Sequence, residues 1–159
     1  MTEKYVHDGW NLVAVLDGSD ALKESFVWGE DLSGTMQGAG GVGGLLAAND
    51  AGGVKLPYYD ANGNIIAYVD SSGKIVAFYE YDAFGRLISK SGPLADEFSF
   101  RFSTKYFDKE TGFYNYGLRL YSPELKRFCS RDPIGTDGGP NEYGFNGNNP
   151  IDFWDYLGM

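Results

Sequence analysis

The sequence predicts an all-β protein of short strands and frequent tight turns, on three observations. Glycine supplies 23 of the 159 residues. It is unfavourable inside helices and permits the positive φ that tight turns need. Tyr (12) and Phe (11) lift the aromatic share to 16%, and these side chains favour pleated surfaces. A unit of aromatic-Asp, a short Asn/Gly turn and alternating apolar residues recurs along the chain. The charged fraction is only 22%, unlike a disordered chain. The length fits one domain or one piece of a larger fold.

The first copy of the unit is YVHDGWNLVAVLD at 5–17, within N-terminal repeat strands over 1–33. A Gly-rich connection follows over 34–56, containing GTMQGAGGVGGLLAANDAGG. Gly38, Gly40 and Gly43 match GxGxxG, but a dinucleotide site needs a strand before the motif and a helix after it. Leu45–Ala48 gives room for one short helical turn before Asn49-Asp50, so the segment reads as a flexible or tightly wound connection.

Residues 57–105 hold the clearest hairpins. Tyr59-Asp60 recurs as Tyr81-Asp82 and Gly63 as Gly85, both at an offset of 22 residues. Asn62-Gly63, Ser71-Ser72-Gly73 and Phe84-Gly85-Arg86 are the turns. Ile65 to Val69 is apolar on both faces, which predicts strands covered on both sides or an outward face rich in Tyr. A period of about 20 residues points to repeat architecture. The last part, 106–159, opens with a related unit at 106–123 and then becomes turn-dense. SPELKRFCSR at 122–131 predicts a brief helix, with Ser122 as N-cap, Pro123 at the first position and Glu124 near the positive end. Beyond it DPIG, DGGPN, NGNNP and DYLG follow closely, to be held by Tyr143, Phe145, Phe153, Trp154 and Tyr156.

Composition removes several chemistries. The single Cys129 permits no intramolecular disulfide and no thiolate zinc cluster. It lacks a following His, which argues against a nucleophilic role. The single His7 excludes multi-His metal sites and reads as structural or exposed. With 13 Lys+Arg against 22 Asp+Glu, no cationic surface for nucleic acid is expected. No cofactor or metal site is expected, no apolar run approaches a membrane span, and MTEKYVHDGW lacks the regions of a signal peptide.

RFSTKYFDKETGFYNYGLRLYSPELKRFCSRDPIG followed by NEYGFNGNNPIDFWDYLGM resembles the Rhs-repeat-associated core domain of the Rhs/YD-repeat family. That family includes polymorphic toxins, toxin-complex C components and teneurins. The counterparts are Phe107 to Arg127, Asp132 to Gly135, Gly147 to Pro150 and Asp155 to Met159. The resemblance implies antiparallel YD-repeat hairpins forming part of a curled, shell-like sheet, with a turn-rich C-terminal plug. It also implies a shell that encloses a C-terminal toxin, and an aspartyl-type self-protease that cuts after the second DPxG motif. Carried over, the catalytic carboxylates are Asp132 and Asp155, with Arg131 beside the first and cleavage after Met159. The second motif departs from the pattern, with Tyr156 where Pro is usual. Tyr114, Tyr116 and Tyr121 read as strand-face and shell-lining residues.

Two carboxylates close together suit peptide hydrolysis, because like charges push their pKa values apart and leave one acid and one base. Asp132 and Asp155 stand 23 residues apart in sequence, and Asp in such stretches is also a common turn former. Arg131 is expected to hold one carboxylate ionised or to orient the scissile carbonyl. No activity on other proteins is expected.

Length limits the role. A folded cargo of ~100 residues has a radius of roughly 17 Å, so a sheet wrapped at ~22 Å covers roughly 6,000 Å². Each strand residue covers about 16 Å², so closure takes on the order of 380 residues. The chain is therefore expected to be the closing end of a shell. Its partners would be further repeats or a C-terminal toxin in a longer parent chain, made in the cytoplasm and exported. Under this expectation Met159 stands where a self-cut would leave it. The alternative is a non-catalytic fragment that binds proteins or carbohydrate, or itself, through exposed strand edges.

Overall fold

The structure, a computed structural model, describes residues 2–159. Eight antiparallel strands form one meander in sequence order: β1 (Glu3–Asp8), β2 (Asn11–Asp17), β3 (Leu22–Trp28), β4 (Leu45–Asp50), β5 (Gly53–Tyr59), β6 (Ile65–Asp70), β7 (Ile75–Tyr81) and β8 (Leu87–Ser91). A second, four-stranded sheet follows: β9 (Tyr106–Asp108), β10 (Phe113–Asn115), β11 (Leu120–Ser122) and β12 (Arg127–Phe128). The described residues contain no α-helix, only single 3₁₀ turns at Phe102–Thr104, Gly135–Gly138 and Asn146–Asn148. The fold is mainly β, two open antiparallel sheets.

One local device closes the hairpins. At Asp60 the carboxylate accepts the N–H groups of Asn62 and Asn64, and the Asp60 carbonyl accepts from Gly63 N–H. Asp70 does the same for Ser72, Lys74 and Gly73, and Asp82 for Phe84, Arg86 and Gly85. Asp17 repeats the pattern with Asp20, at φ +68, in place of glycine. The Asp supplies an acceptor for N–H groups the turn would leave unpaired, and the fourth residue adopts positive φ. The Tyr before the Asp has its own task. Tyr59 Oη donates to the Leu45 carbonyl and Tyr81 Oη to the Ile65 carbonyl. Each ties the end of one strand to the start of its neighbour, so the 22-residue offset corresponds to two strands of sheet.

After β8 the chain doubles back across the large sheet. Phe98 stacks on Tyr68 at 3.7 Å with the rings 8° apart, and Phe100 meets Phe26 and Trp28 edge-on. These residues cover a core of Leu12, Val15, Leu45, Ile65, Val76 and Tyr79. A second core under the small sheet joins Phe102, Tyr114, Tyr116, Tyr121, Phe128 and Phe145. On the large sheet Val27, Leu46, Leu56, Tyr58, Ile75 and Ile88 stay exposed.

The glycine-rich stretch is wound tightly around Asp31. One carboxylate oxygen accepts from Ala39 N–H at 2.7 Å and Gly41 N–H at 3.0 Å, the other from Ser33 N–H at 2.9 Å. Ala39, Val42 and Leu45 are fully buried. Leu45–Ala48, with room for a short helical turn by sequence, belongs to β4 and pairs with β3. The expected helix at 122–131 is likewise corrected. Tyr121 pairs with Phe128 and Ser122 with Arg127, making a hairpin. The cap signal itself is real, since Ser122 Oγ accepts from Leu125 N–H at 3.2 Å. Lys126 at φ +55 then turns the chain back, and burying both Tyr121 and Phe128 outweighs the helical preference.

The tail beyond residue 132 is not held by the five aromatics expected of it. Phe145 is buried, while Phe153, Trp154 and Tyr156 are exposed, and Tyr143 lies under the Arg127 guanidinium at 4.2 Å. Polar contacts supplement Phe145. Asn62 Nδ2 donates to the Ile151 carbonyl, Asn146 Nδ2 to that of Phe153, and Asp155 and Leu157 turn inward.

Candidate functional site

The small sheet places an arginine where the sequence pattern names none. Between β10 and β11, Tyr116 N–H donates to the Arg119 carbonyl at 3.0 Å across a turn that carries Gly117 at φ +96. This sends the Arg119 side chain inward, onto the Phe128 ring at 3.7 Å. Its side chain is 2% exposed. A cation so buried needs its donors filled. Nη1 donates to the Glu142 carbonyl at 3.0 Å and Nε to the Gly158 carbonyl. Nη2 donates to Asp132 Oδ2 at 3.0 Å and lies 3.9 Å from Asp155 Oδ2.

The two aspartates, 23 residues apart in sequence, thus converge on one guanidinium nitrogen. Asp132 sits in a turn like those of the repeats, and Asp155 in a variant of it. Asp132 Oδ1 accepts from Ile134 N–H at 2.9 Å, its carbonyl accepts from Gly135 N–H, and Gly135 has φ +62. Asp155 Oδ1 accepts from Gly158 N–H and from Met159 N–H at 3.1 Å, and Gly158 has φ +78. The turn forms without Pro at Tyr156. In both turns Oδ1 serves the backbone and Oδ2 faces Arg119.

Burial pushes the Asp155 carboxyl up to about 6. The Gly158 N–H, Arg119, the Met159 N–H and Lys105 all oppose that rise and do not cancel it. Near neutral pH Asp155 therefore holds or releases a proton, next to the Gly158–Met159 backbone.

Arg131 does not join them. Its side chain is 76% exposed and faces Glu142 at 3.5 Å. Asp132 N–H donates to the Glu142 carbonyl, while its carboxylate turns to Arg119. The cation of the site is Arg119. Its signal was present in the sequence: one Arg in an aromatic stretch, Tyr114 to Tyr121, must be buried with an anionic partner or turned out to water. Met159 is exposed at the rim, held through its N–H by Asp155. Cys129 is exposed, and its N–H donates to the Leu120 carbonyl. His7 is exposed on β1. Among the described residues no cluster of three His, Cys, Asp or Glu could hold a metal ion, and no helix is long and apolar enough to cross a membrane.

A meander of two-strand units, closed by one repeated aspartate turn and ending in a small aromatic-cored sheet, defines a β-repeat fold. A family model for the RHS repeat matches residues 59–96, from the end of β5 past β8. Over these residues the chain is similar to Rhs/YD-repeat proteins. It is 41% identical over 74 residues to salivary gland surface protein 1 of Aedes aegypti, which is 46% of this chain and 2% of that protein. It is 42% identical over 59 residues to toxin protein Tse5 of Pseudomonas aeruginosa, 37% of this chain and 4% of that one. The crystal structure of TcdB2-TccC3-TEV superposes on 92% of this chain with a TM-score of 0.69 and 25% identity, covering 7% of that chain. A Photorhabdus luminescens Tc holotoxin pore shares the fold, with a TM-score of 0.68, 24% identity and the same two coverages. The chain therefore spans only a few per cent of the length of these relatives.

Proposed function

We propose that this chain is the closing end of an Rhs/YD-repeat shell around a C-terminal toxin segment, and that Asp132 and Asp155 cut the chain after Met159. The observation that carries the cleavage half is the Arg119 guanidinium. It draws both carboxylates to one nitrogen and holds the Gly158 carbonyl, one residue before the scissile bond. Asp132, ion-paired with Arg119, takes a proton from water as the water adds to the Met159 carbonyl carbon. Asp155, kept partly protonated by burial, gives its proton to the departing amine as the C–N bond breaks. The substrate is the chain's own tail, so no bimolecular encounter is needed.

The test appends a reporter domain after Met159 and follows its release during refolding. Release is expected in the parent and absent in Asp132→Asn and in Asp155→Asn. Undiminished release in both variants would sink the pair. An uncut parent would leave the shell reading standing alone.

A second reading, an interaction module, is favoured by the edge strand β1, exposed along five of its six residues. That edge can take a preceding repeat or a second copy. A dimer by light scattering, lost on substituting Tyr5 and Val6 with Lys, would support pairing there.

A further inference from the structure

Lys105 is buried, yet it makes no ion pair within 4.0 Å among the described residues. Its ammonium donates to the Gly40 carbonyl at 2.7 Å and stands 5.1 Å over the Tyr116 ring. A buried ammonium with so few partners is expensive unless the surrounding field helps it. Desolvation pulls its pKa down to about 8, while the charges of Asp155 and Asp31 oppose the fall.

Gly40 explains why the cation sits there. At φ +63, a Cβ on this residue would lie 3.0 Å from Lys105 Nζ and 3.3 Å from both the backbone nitrogen and Cδ2 of Leu157. The glycine loop, the lysine and the tail just after Asp155 therefore touch at one point. Leu157 itself has φ +60, a strained conformation for a leucine. Its carbonyl accepts from Leu118 N–H at 3.1 Å and its side chain is buried. The tail needs something to press it into that shape. On the other side of the loop, Asp31 holds the N–H groups of Ala39 and Gly41, which flank Gly40.

We propose that Lys105 is a positioning residue of the Asp132–Asp155 site: anchored on the Gly40 carbonyl, its ammonium clamps the glycine loop against Leu157, fixing the backbone that follows Asp155 and the field at its carboxylate. The proposal rests on the cleavage reading for its consequence, while its geometry stands alone. The groups facing Asp155 are Arg119, Lys105 and Tyr116, with Asp132 reached through Arg119. Those facing Lys105 are Asp155, Asp31 and the Tyr116 ring. His7 and Asp108 also line the cavity of about 560 Å³ that Lys105 borders.

The test has two arms. In the first, the Asp155 carboxyl is titrated by ¹³C NMR in the full chain. Removing a nearby positive charge raises a carboxyl pKa, so the Lys105→Gln midpoint should rise by ~0.5 pH unit or more above the parent's. Lys105→Arg keeps the charge and should hold the midpoint. Glutamine retains a donor for the Gly40 carbonyl, so this variant is expected to fold, checked by its circular dichroism. An unmoved midpoint in folded Lys105→Gln overturns the proposal, because a merely structural lysine would leave Asp155 alone. In the second arm the reporter-extended chain is refolded across pH. The alkaline limb of release should shift upward in Lys105→Gln, and Lys105→Met, which loses the anchor as well, should release at least tenfold more slowly at every pH. A parent that releases nothing defeats the cleavage reading, and the titration still decides the role of Lys105.

Discussion

The hairpin turns at Asp17 and Asp70 and the tail turn at Asp155 each seat one aspartate oxygen on two backbone N–H groups, yet they do opposite things to the carboxyl. At Asp70 the Ser72 hydroxyl and the Lys74 and Ser72 N–H groups stabilise the charged carboxylate and lower its pKa. Asp17 is lowered in the same way by Ser19 and Ala21. At Asp155 the carboxylate also accepts two N–H groups, but burial dominates and the pKa rises. The turn fixes where one carboxylate oxygen points. The surroundings of the carboxylate, water at Asp17 and Asp70 and the buried Arg119 pocket at Asp155, decide the chemistry. A structural device becomes a candidate reactive one chiefly through burial, with Leu157 at φ +60 reshaping the turn at Asp155.

The comparison breaks most severely if the pocket loses its cation. Arg119→Met leaves Asp132 and Asp155 buried without their counter-charge. Removing one partner of such a buried cluster costs about 3–5 kcal/mol. We expect this variant to unfold well below the parent in urea at pH 7, and to recover part of the loss near pH 4, where Asp155 is protonated. Equal stability at pH 7 would show that the core turns do not depend on Arg119.

Next in size is the pH response of Asp155. Its folded pKa lies above the unfolded value near 3.9. Its contribution to stability is therefore fully present below about pH 4 and lost as pH rises through about 6. The loss is on the order of 3 kcal/mol. Asp155→Asn keeps an oxygen for the Gly158 and Met159 N–H groups and removes the titration. The stability gap between parent and variant should shift in favour of the variant from pH 4 to pH 8. The repeat turns run the other way: lowered carboxyls such as Asp70 stabilise above pH 4 and lose that effect in acid. A gap independent of pH would mean that burial leaves the Asp155 carboxyl where it lies in the unfolded chain, and a shift in favour of the parent would mean that Asp155 titrates like Asp70.

The division between local and distant causes also explains what the sequence could reveal. The hairpins at 57–91 were legible because an Asp, its two N–H partners and the positive-φ Gly lie within five residues. Asp132 and Asp155 were legible through their motif, and the convergence of the two was not, because it runs through Arg119. That arginine bonds Asp132 across 13 residues and Gly158 across 39, and no local pattern encodes such partners. Arg131, adjacent to Asp132 in sequence, instead lies exposed beside Glu142, so adjacency along the chain did not predict which cation meets the carboxylates. The helix expected at 122–131 failed similarly. Its cap signal was local and correct, while the buried Tyr121–Phe128 pairing that overrode it depends on Tyr116 and Phe145 from elsewhere.

Substitutions of glycine separate the turn from its surroundings within the repeats. Gly73 has φ +83 and open space where a methyl would project, so Gly73→Ala meets only the left-handed penalty of about 1 kcal/mol. Gly63, at φ +74 in the equivalent position, would put its methyl 2.7 Å from Val42 Cγ1 and 3.0 Å from the Gly43 nitrogen. Gly63→Ala should destabilise by about 2 kcal/mol or more, since overpacking adds to the backbone term. Matching effects at the two sites in thermal melts would mean that the glycine loop yields freely around Gly63.

The smallest expected effect tests the turn alone. Asp60 is exposed, and its carboxylate accepts from the N–H groups of Asn62 and Asn64 and from Asn64 Nδ2. Asp60→Ala removes these acceptors and should cost about 1 kcal/mol, as loss of a helix N-cap does. Asp60→Asn keeps the Oδ1 acceptor and should cost less than about 0.5 kcal/mol, because water already screens the charge at this site. If Asn proved as damaging as Ala in urea unfolding, the charge itself would be holding the hairpin. The repeat aspartates would then be electrostatic elements like Asp132, and the distinction between the two regions would rest on burial alone.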